Sequence, residues 1–290
     1  MGAAEHMPAH LPVPETVAGY LSRIGLPLDL APTTEVLAEL QRRHLDAVPY
    51  ENLAIMLGRP DTTDPAQTLA RIAAGGNAGY CFHHNGAFEI VLRSLGFAVE
   101  RRHGKVRGRP IPDLNHLVLL VTIDGRRWWP DLGLGDALRD PVEVVAGEIR
   151  QGPYRYEITD VDVDADGDGW TFVHDPAAGS FPALDVRADR PADADVAAAH
   201  RELSTPPEGR FTKVLVVGRR DDTGADVLRG IRFQRSGDGA FTRDLAAYDD
   251  WRTALEAFGV ALVGVADDEL RSLHGRMAAA HEEWRAASDR

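Results

Sequence analysis

The sequence predicts an α+β protein, and three observations carry that reading. Apolar residues recur at helical spacing through the first hundred positions, switch to period-two runs after Phe97, and show both patterns in the last third. Segment 14–25 puts Val17, Tyr20, Leu21 and Ile24 on one helical face and stops at Gly25. Segment 32–48 opens on threonines and Glu35, repeats apolar positions at Val36, Leu37, Leu40 and Leu45, and is stopped by Pro49. A third helix is expected over 65–75. A fourth covers 81–97, with Phe88, Val91, Leu92 and Leu95 on one stripe and Gly96 as its stop. Strands are expected at 97–106, 116–123 and 126–132, the last two joined by Asp124-Gly125, a strong hairpin signal. Further strands are expected over 155–160, 169–174, 212–219 and 227–234, and helices over 246–258 and 266–287. The polar, Pro/Ala-rich stretch 187–200 reads as an inter-domain connection. This order, helical then β-rich then mixed, implies about three modules, bounded at 1–97, 98–203 and 204–290.

Composition limits the function. A chain of 290 residues can bury a large core, and 44% hydrophobic with 27% charged residues is ordinary for a globular protein. No apolar run approaches the roughly 20 residues of a membrane helix, and the opening MGAAEHMPAH has no secretory-signal pattern, so no membrane partner is expected. The formal net charge of −13 argues against a nucleic-acid partner, though not against a local basic pocket for a phosphorylated cofactor. The single cysteine, Cys81, excludes an internal disulfide and any multi-cysteine metal site, and makes a reducing cytoplasm the default location. The stretch 162–170 opens like a calcium loop but has Val173 where a bidentate Glu belongs, and reads as an acidic turn. The glycines of 133–138 lack the third small residue of a dinucleotide fingerprint, since Leu138 stands there. Cys81, His83 and His84 point in different directions on a helix, so no metal is expected.

Cys81 stands in GGNAGYCFHHNGAF at the start of the fourth helix, where unsatisfied N–H groups and the helix dipole favour a thiolate. The alternative is a buried cysteine acting as a small hydrophobe. The candidate base is His116, heading a strand whose residues through Val121 are all apolar. A two-residue loop at Asp124-Gly125 sets a register that puts His116 opposite Gly133 and Asp131 one diagonal step away on the same face, unless Pro130 marks a bulge. A thiolate that attacks, an imidazole that moves the proton and a carboxylate that fixes the tautomer make a nucleophilic set.

Five segments in order now resemble the arylamine N-acetyltransferase family over nearly the whole chain. They are VPYENLAI (48–55), GYCFHHNGAF, NHLVLLV, WPDLGLG and STPPEGRF (204–211). The resemblance implies a helical bundle, a β-barrel and an α/β lid, with Cys81, His116 and Asp131 as catalytic triad. It implies ping-pong transfer of an acyl group from acetyl-CoA to an arylamine or hydrazine nitrogen through an acyl-cysteine, with no metal or tightly bound cofactor. Thr205, Ser204 and Gly135 are the candidate CoA contacts. Two departures stand out: Asn77 replaces the family's Arg, which pairs with the Glu found here as Glu51, and His83 replaces a Glu. Both are expected to bear on which acyl group is accepted. Three other readings stay open: an amide synthase using an acyl carrier protein as donor and partner, a Cys-His-Asp hydrolase, and a non-catalytic member of the fold.

Overall fold

The computed structural model describes residues 14–108, 112–161, 168–176, 180–207 and 209–288. The predicted helices form, each slightly shorter than its periodicity suggests: α1 (Glu15–Arg23), α2 (Thr34–Ala47), a short α3 (Leu53–Met56) after strand β1 (Tyr50–Glu51), α4 (Pro65–Ala73) and α5 (Cys81–Ser94). Local chemistry sets their starts. Thr33 Oγ1 accepts the Val36 N–H at 3.3 Å, and Asp64 Oδ1 accepts the Gln67 N–H at 2.8 Å with Pro65 in the first turn. The apolar faces of α1, α2, α4 and α5 merge into one core with Leu119 and Val121.

The middle of the chain forms an eight-stranded antiparallel sheet from β2 (Ala98–Val106), β3 (His116–Ile123), β4 (Arg126–Trp129), β5 (Val142–Glu143), β6 (Gly147–Gln151), β7 (Tyr154–Thr159), β8 (Trp170–Val173) and β9 (Ala183–Arg187). Strand order is β5-β4-β3-β2-β9-β8-β7-β6. The two edge strands, β5 and β6, are near neighbours in sequence, so the sheet curls back on itself like a barrel. Strand β3 is buried on both faces because Leu119 and Val121 enter the helical core while Val118 and Leu120 enter the barrel interior. The hairpin register is the predicted one, with Val121 opposite Trp128 and Ile123 opposite Arg126, but the ladder ends at Trp129 and the chain leaves the sheet at Pro130.

Two readings are corrected. The stretch 187–200 is no simple connection: from Asp193 it is helix α6 (Asp193–Ser204), built on alanines, with Asp195 Oδ2 accepting the Ala192 N–H at 2.8 Å. The single strand expected over 227–234 is instead two strands turning at Gly230. A 3₁₀ turn (Arg210–Thr212) leads into β10 (Val216–Arg220), β11 (Gly224–Arg229), β12 (Arg232–Gly237) and β13 (Phe241–Asp244), then α7 (Tyr248–Phe258) and α8 (Asp267–Ser288). Residues 50–51 of the helical part pair with β10, so β1 is an edge of this second sheet. Most of the acidic stretch 162–170 lies outside the described residues.

Candidate active site

The three residues singled out by chemistry meet where the helical core, the barrel and the second sheet come together. Cys81 opens α5 and is 4% exposed. Its Sγ lies 3.6 Å from the Asn115 carbonyl oxygen, and its thiol stands against the His116 ring. His116 Nε2 donates to Asp131 Oδ2 at 2.7 Å, and both side chains are buried. Asp131 reaches the ring because the chain turns inward after Pro130, rather than as a ladder neighbour; His116 is paired in the sheet with Gly104 of β2. Burial opposes charge on His116, but the Asp131 carboxylate and the hydrogen bond with Cys81 outweigh it and raise its pKa to about 10. The imidazolium is therefore the resting form at neutral pH.

A frame of buried polar side chains holds this geometry. Asp131 Oδ1 accepts the Gly133 N–H at 2.8 Å, and Oδ2 also accepts the Trp129 indole N–H at 3.2 Å. Gln41 of α2 accepts the Asp131 N–H at 3.1 Å and donates to the Leu138 carbonyl at 3.3 Å. Asn85, one turn beyond Cys81, donates to the Leu117 carbonyl at 2.7 Å and accepts the Leu132 N–H at 3.0 Å. The sequence reading missed both amides, whose signal was a polar residue on the apolar face of each helix. Gly133 packs directly on the cysteine: a Cβ there would lie 2.5 Å from Cys81 Cα. Gly133→Ala is thus expected to push the 131–135 loop off α5, lowering stability by about 1–3 kcal/mol and abolishing activity together. A thermal melt and a rate measurement check it, and a variant as stable and active as the parent contradicts the contact.

The two departures at the loop have physical explanations. His83 Nδ1 accepts the Tyr80 N–H at 3.3 Å, the job of a third-position carboxylate in a capping box. Asn77 docks on the Ala261 backbone, donating to its carbonyl at 2.9 Å and accepting its N–H at 2.7 Å. Arg71 holds the loop instead, donating to the Asn77 and Ala78 carbonyls at 2.9 and 3.0 Å. Neither Asn77 nor His83 lines the cleft in front of the cysteine; both stand behind its loop. Glu51 has no ion-pair partner among the described residues, and burial raises its pKa to about 7, against the lowering pull of the Leu53 N–H. A carboxyl whose folded pKa exceeds its unfolded value stabilises the fold at low pH and loses that contribution as pH rises from about 4.5 to about 7. Glu51→Gln is expected to remove this loss, so that its stability advantage over the parent is larger at pH 8 than at pH 4 in denaturant titrations. The same difference at both pH values contradicts it.

His84 is not a partner of Cys81. Its Nε2–H donates to the Gly79 carbonyl at 3.1 Å, and its Nδ1 accepts from His44 Nε2 at 2.8 Å. Tyr20 in turn donates to His44 Nδ1 at 2.9 Å. Burial keeps both rings neutral, His84 at about 4. Among the described residues no group of three or more His, Cys, Asp or Glu is placed to hold a metal.

In front of the cysteine lies a cleft of about 360 Å³, walled by Tyr50, Asn115, His116, Gly133 and Phe211 and rimmed by Arg210, Lys213, Arg229 and Arg232. Of the three candidate CoA contacts, Gly135 lines it, whereas Ser204 is buried beside His200 and Thr205 is exposed outside it. The sequence reading missed the basic rim, because only the fold turns Arg210, Lys213, Arg229 and Arg232 onto one cleft.

A helical unit, a barrel-like sheet and an α/β unit meeting at a buried Cys-His-Asp set define the cysteine-proteinase-like class of α+β folds. The comparisons with known proteins narrow this. The N-acetyltransferase family model matches residues 33–265, and the chain belongs to that family, the arylamine N-acetyltransferases. The chain is 36% identical over 151 residues to an arylamine N-acetyltransferase of Mycolicibacterium smegmatis, covering 48% of this chain and 55% of that protein. It is 35% identical over 135 residues to a proansamycin X synthase of Amycolatopsis mediterranei, covering 44% and 52%. In these alignments the chain spans about half the length of the curated relatives it matches. The solved structure of the Mycobacterium marinum arylamine N-acetyltransferase in complex with CoA superposes with a TM-score of 0.77 at 25% identity, covering 91% of this chain and 98% of that one.

Proposed function

We propose that this protein transfers an acetyl group from acetyl-CoA to the nitrogen of an arylamine or hydrazine by a ping-pong mechanism, with Cys81, His116 and Asp131 as its triad. The observation that carries the reading is the buried, charged His116–Asp131 pair against the one cysteine, with His116 lining a cleft that Arg210, Lys213, Arg229 and Arg232 also line. The Cys81 thiolate attacks the thioester carbonyl, and the backbone N–H of Cys81 at the start of α5 faces the oxyanion. The carbon–sulfur bond to CoA breaks, and the His116 imidazolium gives its proton to the departing thiolate. The amine nitrogen then attacks the acyl-cysteine and its proton passes to His116. The amide leaves, and the imidazolium–thiolate pair is restored. Asp131 holds the ring and its charge throughout.

Arg210, Lys213, Arg229 and Arg232 supply the positive field that the phosphates of CoA require, and Gly135 lets the donor approach Tyr50 without a side chain in the way. The modules 1–97, 98–203 and 204–290 belong to the same proposal, as does a reducing, cytoplasmic setting, which the free thiol of Cys81 supports. The likeness to a proansamycin X synthase supports a second reading, in which the chemistry is kept and the acyl donor is held by a carrier protein.

Initial rates with acetyl-CoA and an arylamine both varied test the first reading. It predicts parallel double-reciprocal lines and the release of one equivalent of CoA before any amine is added. Intersecting lines without that release overturn it, and acylation by a carrier-bound donor but not by acetyl-CoA establishes the second.

A further inference from the structure

Three buried rings on three helices form a hydrogen-bonded line that ends beside the nucleophile. Tyr20 of α1, His44 of α2 and His84 of α5 are each at most 1% exposed. The Tyr20 hydroxyl meets His44 Nδ1 at 2.9 Å, His44 Nε2 meets His84 Nδ1 at 2.8 Å, and His84 Nε2 meets the Gly79 carbonyl at 3.1 Å. Burial keeps both imidazoles neutral, so each carries one N–H and one acceptor nitrogen. The carbonyl at the end of the line settles its direction. A carbonyl only accepts, so His84 holds its proton on Nε2 and accepts at Nδ1. His44 must then donate from Nε2, and Tyr20 must donate to His44 Nδ1. Every N–H and O–H of the line has an acceptor.

The line closes on one peptide plane. The Gly79 carbonyl takes the His84 N–H together with the Glu51 N–H at 2.9 Å, which fills both its lone pairs. At the other edge of that plane the Tyr80 N–H donates to His83 Nδ1 at 3.3 Å. Consecutive histidines thus grip the two polar ends of the Gly79–Tyr80 peptide. Gly79 lies at φ +113°, and a Cβ there would sit 2.7 Å from His83 Nδ1, so the grip requires glycine. Only the two backbone dihedrals of Tyr80 separate this plane from the next, which carries the Cys81 N–H. That N–H is the donor that faces the oxyanion when the thiolate adds to a carbonyl.

We infer that His84, held by His44 and Tyr20, is a positioning residue for acylation: it fixes the Gly79–Tyr80 plane and so aims the Cys81 N–H at the developing oxyanion. Ionising the thiol is left to His116 and Asp131. The inference rests on the acyl-transfer reading. Two reactions of the same thiolate then respond differently to His84. Attack on an ester carbonyl gathers charge on oxygen and needs the aimed N–H. Displacement of iodide from iodoacetamide makes no oxyanion and needs only the thiolate.

The test compares those two rates in the full chain at one pH: the burst of 4-nitrophenol from 4-nitrophenyl acetate, and the alkylation of Cys81 by iodoacetamide. His84→Phe keeps a buried ring but removes both nitrogens. It is expected to slow acylation about tenfold or more while alkylation changes by less than about threefold. His84→Gln offers an N–H to Gly79 and an oxygen to His44, and is expected to restore acylation to within about threefold of the parent. Two rates that fall together, an acylation rate that does not fall, or a fall that glutamine does not repair each overturn the inference. If His84→Phe does not fold, nitrogen-15 spectra of the parent's imidazoles decide: Nε2–H tautomers on both His44 and His84 support the inference, and Nδ1–H on either overturns it. A parent that iodoacetamide alkylates but the ester does not acylate strikes the acyl-transfer reading, and the inference with it. A parent that is acylated, with His84→Phe acylated as fast, strikes the inference alone.

Discussion

Cys81→Ala is expected to abolish acyl transfer, lowering the rate about ten-thousandfold or more, to the background reaction of amine with thioester. No other thiol exists in the chain to take over the acyl group. The change leaves the fold largely alone, because Cys81 begins α5 and alanine is a better helix former. Among the described residues its Sγ meets the Asn115 carbonyl at 3.6 Å and the His116 ring. Steady-state rates together with a thermal melt check the prediction. A folded alanine variant that retains turnover contradicts nucleophilic catalysis at this position.

The second large effect belongs to Asp131. Its carboxylate accepts three N–H groups, from His116, Trp129 and Gly133. Asp131→Asn turns one oxygen into an NH₂ group, so whichever way the amide is placed one donor faces another. It also removes the charge that chiefly holds His116 at about 10. The expected fall in kcat is about a thousand- to ten-thousandfold, with the ring no longer held charged beside the thiol. The sign of the stability effect follows from linkage. A histidine whose folded pKa is raised stabilises the fold fully below its unfolded value, near 6.5, and loses that contribution as pH rises through about 10. The parent should therefore lose stability across that window, and the asparagine variant should show a flatter profile there. Denaturant midpoints from pH 6 to pH 10.5 measure it, and identical slopes contradict the coupling of Asp131 to a charged His116.

The parts of the molecule that the sequence made legible are those governed by short-range rules. Asp124-Gly125 set the β3–β4 register because a two-residue loop leaves no freedom in the pairing. The apolar run after His116 read as a strand, and its alternate residues enter two different cores. Long-range geometry was not legible. The approach of Asp131 to His116 comes from the chain leaving the sheet at Pro130, which no ladder rule supplies. Gln41 and Asn85 stand out in the sequence only as polar residues on apolar helix faces, and the folded structure shows what they do there: brace the 131–138 segment. Helix α6 was hidden by its acids and its proline-rich lead, although its alanines favoured it. The basic rim gathers Arg210, Lys213, Arg229 and Arg232 from a turn and two strands, and only the fold turns them onto the cleft that His116 lines.

Asn77 and His83 show a related limit. As departures from the family pattern they read as changes to the acyl pocket. In the structure they are repairs to the nucleophile's support: a histidine caps the helix where a carboxylate is usual, and Asn77 fastens the loop to residue 261. What that repair leaves behind is Glu51, a buried carboxyl raised to about 7.

Intact-protein mass spectrometry after mixing with acetyl-CoA tests the central claim most directly. The account predicts a gain of one acetyl group that is absent in Cys81→Ala and is discharged when an arylamine is added. No gain from acetyl-CoA, or a gain that survives in Cys81→Ala, contradicts it.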